Sequence, residues 1–104
     1  MKGRRLMCHG IREIKVADFE IDAPPDDGLL VQNEYTAVSV GTEIWSWIHG
    51  AEPNAKTRLP RATGYCNAGR VLAVGKDITD VKAGDRVAGQ GSHASHAIMR
   101  GLYH

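Results

Sequence analysis

The sequence predicts a mainly β domain, a barrel or a sandwich, with one short helix. Three observations predict it. Short runs rich in Val, Ile, Thr and Tyr recur with turn signals about every ten residues. Glycine is frequent, 12 in 104 residues, and the glycines stand singly, as turns between short strands require. Only residues 42–49 carry the signals of a helix.

Taken in order, Arg4–Cys8 reads as a short strand. Arg12–Ile21 reads as a half-buried strand whose apolar alternation begins at Ile14 and Val16. Ala23-Pro24-Pro25-Asp26-Asp27-Gly28 is a turn, because the prolines fix φ and Asp-Gly closes it. Leu29–Val40 is a long strand by its Val, Tyr and Thr content. The helix follows over Thr42–His49, with Thr42 as N-cap and Glu43 where the helix dipole favours an acid. Ile44 and Ile48 lie four apart and make one face apolar, and Gly50 is placed to end the helix. Residues 51–61 form a polar loop around Pro53 and Pro60. Thr63–Val74 is a strand interrupted by Gly64 and Gly69, and turns at Gly75-Lys76-Asp77 and Val81–Asp85 lead to short strands at Arg86–Ala88 and His93–Met99.

Length and composition narrow the function. Residues 1–104 are expected to form a single domain, 42% hydrophobic and 24% charged, with one modest core. Thirteen basic against 12 acidic side chains leave a net charge of +1, which argues against a nucleic-acid-coating protein. No apolar run approaches the roughly 18 residues of a membrane helix, and the start MKGRRLMCHGIREIK lacks the apolar stretch of a signal peptide. Cys8 and Cys66 are too few for a disulfide framework or a four-cysteine zinc site. The expected setting is a reducing cytoplasm, without nucleic-acid or membrane partners. Charges come in blocks: basic from Lys2 to Lys15, acidic from Asp18 to Asp27, basic again from Lys56 to Lys76. Pairing across strands explains them most simply, with an anion site as the alternative.

Three segments carry a family resemblance. They are Ala37-Val38-Ser39-Val40-Gly41-Thr42-Glu43, Gly64-Tyr65-Cys66-Asn67-Ala68-Gly69-Arg70-Val71 and Val81-Lys82-Ala83-Gly84-Asp85-Arg86-Val87-Ala88-Gly89. In order and spacing they resemble the N-terminal domain of the medium-chain dehydrogenases/reductases, the zinc-alcohol-dehydrogenase-like enzymes. The resemblance runs from the first strand to Met99 and is most specific in the third segment. It implies a GroES-like, partly open β-barrel that shapes the substrate side of an oxidoreductase. A Rossmann domain carrying NAD(H) or NADP(H) follows in that family, so this chain is expected to bind no cofactor itself.

The departures from the family pattern are as informative. Zinc-dependent members carry Cys-Gly-Thr-Asp where this chain has Val40-Gly41-Thr42-Glu43, and Gly-His-Glu where it has Gly64-Tyr65-Cys66. Valine cannot coordinate zinc and neutral tyrosine is a poor ligand. No bound metal is therefore expected, and Cys66 reads as a small core residue rather than a ligand. Thr42 matches the family's hydroxyl beside the reacting carbonyl, so it reads either as a proton-relay or substrate hydrogen-bonding group or as an N-cap only. By the same resemblance, Val40, Trp45, Trp47 and His49 stand with Tyr65 and Cys66 around the substrate pocket. Two tryptophans suit a bulky apolar wall or ordinary core, and Tyr65 suits a phenolic proton donor or plain packing.

Two weaker patterns carry less. Gly89-Gln90-Gly91-Ser92-His93-Ala94 fits a dinucleotide fingerprint, yet only 10 residues follow Ala94, too few for the required βαβ unit. His93 and His96, three apart on an expected strand, point to opposite faces and make a poor metal pair. The resulting expectation is part of a zinc-independent NAD(P)H-dependent dehydrogenase or reductase, inactive as the isolated chain and self-associating through its exposed cleft face. The alternative is a free-standing GroES-like module that binds a small molecule or serves in assembly.

Overall fold

The computed structural model describes residues 1–49 and 61–100; the side chains of Thr42, Trp45, Ser46, His49 and Arg61 lie outside the description. Strands β1 (Lys2–Gly10) and β2 (Glu13–Glu20) form an antiparallel hairpin, with a bulge between Cys8 and Gly10. Arg12 sits in the turn at φ 56°, in the left-handed region that a turn of this tightness demands. Two-residue β4 (Arg61–Ala62) pairs with the other edge of β1.

The phase of β2 differs from the sequence expectation. Ile14 and Val16 are 37% and 55% exposed, while Ala17 and Phe19 are the residues turned inward. The alternation is present, but β2 is the outer strand of its sheet, and the described structure covers only one of its faces.

The second sheet has the order β6-β5-β3-β7, antiparallel throughout. Strand β3 spans Gly28–Thr36, β5 Asn67–Val74, β6 Arg86–Gly89 and β7 His96–Arg100. The core lies on this sheet. Leu29, Val31, Val71, Val87 and Met99 are all at most 3% exposed, with Val74, Ile78, Val81 and Ala97 packed against them. Each such side chain contributes about 1.5–3 kcal/mol of burial. Strands β3 and β5 approach so closely at Gly69 that a Cβ there would collide with the Gln32 carbonyl. The register shift between Asn33 and Tyr35 lies at the same place.

Charges pair as the simpler reading of the sequence expects: Asp26 with Lys76, Asp27 with Arg100, and Glu34 with both Arg70 and Arg86. Asp85 closes the turn before β6, accepting the Lys82 N–H at 3.0 Å. That bond, with the Lys82 ammonium, holds its carboxyl below the usual range.

The two sheets do not close. They are joined by the Arg5–Ala94 bridge and by main-chain bonds from Leu6 N–H to His93 and from Ser95 N–H to Arg4. With α1 (Val40–His49), the one helix among the described residues, the architecture is the expected partly open barrel. No helix among the described residues is long and apolar enough to cross a membrane.

Two boundaries move. The expected strand to Val40 ends at Thr36, and α1 begins two residues before Thr42. Ser39 is the N-cap: its carbonyl accepts the Glu43 N–H at 2.9 Å, and its own N–H donates to Glu43 Oε2 at 2.6 Å. This reciprocal pair satisfies a backbone donor that the helix start would otherwise leave free. Thr42 therefore lies inside the first turn and is not the cap. The expected strand Thr63–Val74 is likewise split, because Gly64 takes φ +84° and regular pairing resumes at Asn67. The helix end at Gly50 and the loop 51–60 fall outside the described residues.

Candidate functional site

The chain leaving β3 and the chain entering β5 run side by side. Thr36 pairs with Asn67, and the Ala37 N–H donates to the Cys66 carbonyl at 3.1 Å. This brings the Val40 and Gly64-Tyr65-Cys66 segments to one side of the barrel. Tyr65 is 46% exposed and Cys66 half-buried, so Cys66 is not the sealed core residue expected. Helix α1 turns an apolar stripe away from the barrel: Val40, Ile44 and Trp47 are 64%, 50% and 43% exposed. Thr42, Trp45 and His49 ride on the same helix, with their side chains outside the described residues.

Trp47 is held by the β1–β2 turn. Its carbonyl accepts the Arg12 N–H, and the Arg12 guanidinium lies 5.5 Å from the centre of its ring. The other end of the helix is held by a residue that sequence reasoning considered only as a metal-pair candidate. His93, 8% exposed, bonds Glu43 Oε1 through Nε2 and Thr36 Oγ1 through Nδ1 at 2.7 Å. Its main chain is fixed on both sides, donating to the Thr63 carbonyl and accepting from Leu6 N–H. Gly64 makes room for the ring: a Cβ there would lie 2.6 Å from His93 Cδ2.

His96 stands apart from this cluster, with Nδ1 2.9 Å from Ser95 Oγ. The sequence marks only the place of a close approach, through the glycine at position 64, and not the residue that approaches. Which side chain approaches is a matter of contacts 50 and 57 residues apart.

The residues present do not fit the family's zinc. Val40 offers no donor atom, Tyr65 offers a phenol, and among the described residues no three His, Cys, Asp or Glu side chains converge. Nor does the segment Gly89–Ala94 make a dinucleotide cradle among the described residues: it connects two antiparallel strands of one sheet, with no helix after it.

The family model of the alcohol dehydrogenase GroES-like domain matches residues 25–104. The chain belongs to that family. Within it, this GroES-like domain is 34% identical over 84 residues to a probable D-xylulose reductase A of Aspergillus clavatus, covering 80% of the chain and 23% of that relative. It thus spans about a quarter of the length of the D-xylulose reductases it matches. An Escherichia coli oxidoreductase/dehydrogenase of unknown specificity has the same fold, with a TM-score of 0.82 at 19% identity, over 96% of this chain and 38% of that one. The Escherichia coli quinone oxidoreductase complexed with NADPH superposes with a TM-score of 0.73 at 24% identity, over 96% and 31% of the two chains. The GroES-like domain is part of the medium-chain dehydrogenase/reductase pattern of oxidoreductases, as its three motif segments imply.

Proposed function

We propose that this GroES-like domain is the substrate-side part of a zinc-independent, NAD(P)H-dependent oxidoreductase acting on a carbonyl or its alcohol. The observation that carries this reading is the pair Val40 and Tyr65 at the family's metal-ligand positions, on segments that the Ala37–Cys66 hydrogen bond sets side by side. Relatives named as reductases and dehydrogenases support the carbonyl–alcohol class.

The exposed stripe Val40, Ile44 and Trp47 supports a covering partner, because contiguous apolar surface seeks burial. In the parent enzyme the cofactor domain would cover it. In the isolated chain a second copy takes that place, and dehydrogenase activity is absent. Cys8 and Cys66 are not joined in a disulfide, which suits a reducing cytoplasm.

Elemental analysis of the purified protein tests the metal reading: well under one zinc per chain is expected, and about one zinc per chain would overturn it. Sedimentation velocity tests the covering face. The wild-type chain should associate with rising concentration, and V40S/I44Q should remain monomeric. A monodisperse wild-type monomer contradicts the covering-partner reading and favours the free-standing module.

A further inference from the structure

Thr36, His93 and Glu43 come from the end of β3, the segment before β7 and the first turn of α1, and their bonds fix where protons sit. The Glu43 carboxylate only accepts, and it accepts from Ser39 N–H and from His93. His93 Nε2 therefore carries a proton. In the neutral ring Nδ1 is then an acceptor, and the Thr36 hydroxyl is its donor at 2.7 Å. If the ring takes a second proton, Nδ1–H donates to Thr36 Oγ1 across the same distance, and the Thr36 hydroxyl hydrogen turns outward. Both states satisfy both ring nitrogens without moving a heavy atom. A hydroxyl, an imidazole and a carboxylate in line are the arrangement in which the imidazole accepts the hydroxyl proton and the carboxylate supports the resulting charge.

The cluster is built to hold still. His93 is pinned through its own N–H and carbonyl, and its ring fills the space that only a glycine at position 64 leaves open. The chain of bonds ends at its less buried member. The His93 side chain is 9% exposed, whereas Thr36 is half-buried, between exposed Tyr35 and Ala37. Exposed Val38, Val40 and Tyr65 belong to the adjoining segments.

We propose that Thr36, His93 and Glu43 form a proton relay for a hydroxyl-bearing ligand, with His93 as the acceptor. The ligand's O–H proton passes to Thr36 Oγ1 while the Thr36 proton passes to His93 Nδ1. The ligand keeps the electron pair as an alkoxide, and the imidazolium rests on the Glu43 carboxylate. The step is reversible and needs no oxidant. It rests on the reading of the chain as a substrate-side domain for alcohols and carbonyls, and it supplies the base that Val40 and Tyr65 cannot supply through a metal.

Nitrogen-15 NMR of the histidine rings in the 104-residue chain tests the cluster, at a pH where His93 is neutral. Expected are a protonated Nε2 and a bare Nδ1 that accepts a hydrogen bond. In T36V the Nδ1 signal should move toward that of an unbonded nitrogen, and T36S should restore it. A ring protonated on Nδ1, or an Nδ1 signal indifferent to T36V, overturns the proposal. The wild-type spectrum alone decides the tautomer if T36V fails to fold. In the protein with its cofactor domain, T36V should lower kcat at least about 100-fold, with little change in KM, and T36S should recover most of it. An unchanged kcat with the expected NMR signature overturns the relay and leaves the substrate-side reading standing. Wild-type protein without dehydrogenase activity removes that reading instead, while the ring spectra still decide the cluster.

Discussion

On the four-stranded sheet, Leu29, Val31, Val71, Val87 and Met99 are sealed against one another. Along β2 and α1, by contrast, Val16, Val40 and Ile44 are at least half exposed. The first region is held by apolar burial between strands that are mutual neighbours. In the second, β2 is held by its ladder with β1, and α1 by a few polar ties: Arg12 to Trp47, Ser39 to Glu43, and His93 to Thr36 and Glu43. Stability is therefore concentrated in one half, and the half that carries α1 is positioned by hydrogen bonds. Such a division suits a site, because surface kept for binding cannot also be spent on the core.

Substitutions in the two regions should differ sharply. The largest effect is expected from Gly69→Ala, since its Cβ meets backbone that cannot yield; circular dichroism should show loss of the folded β signal. Leu29→Ala should cost about 2–5 kcal/mol in urea unfolding, whereas Val16→Ala, at a half-exposed site, should stay within about 0.5 kcal/mol. Equal costs would show that the hairpin face is covered in solution. Gly64→Ala falls between these, at about 1–2 kcal/mol for the left-handed backbone alone, with further loss from displacing His93. Its amide spectrum should change mainly around α1, residues 61–67 and residues 90–96, leaving the core strands in place.

The smallest effect concerns the Asp27–Arg100 pair, at 3.0 and 3.1 Å. The Arg100 guanidinium lowers the Asp27 carboxyl below its ordinary range. A depressed carboxylate stabilises the fold above its unfolded titration range and loses that contribution as pH falls through the folded one. Asp27→Asn should therefore lower Tm slightly at neutral pH, and the difference should vanish in strong acid. Both side chains are well exposed, so salt should shrink it too.

Much of this division was legible in the sequence. The Asp27-Gly28 turn, the Leu29-Leu30-Val31 start of β3 and the Gly-Asp-Arg-Val run all occur where local chemistry acts alone, and the structure places them as read. The helix start was not legible, because Ser39 and Thr42 are both acceptable caps by type. What decides is that β3 releases the chain at Thr36, three residues before Ser39. The phase of β2 was lost for a related reason, since an edge strand with one covered face allows apolar residues on the other. The role of His93 depends on partners brought in by two other elements, and no local pattern encodes that meeting.

One consequence of α1 is optical. Both tryptophans of the chain, Trp45 and Trp47, lie on that single helix. Indole emission therefore reports on the half that carries α1 alone, while far-ultraviolet dichroism reports chiefly on the strands. If the polar ties yield before the core, the fluorescence transition will precede the dichroic one on heating, and the two traces will separate a loosened rim from a melted sheet. The protein carries its own two-channel thermometer, with one channel wired to the helix.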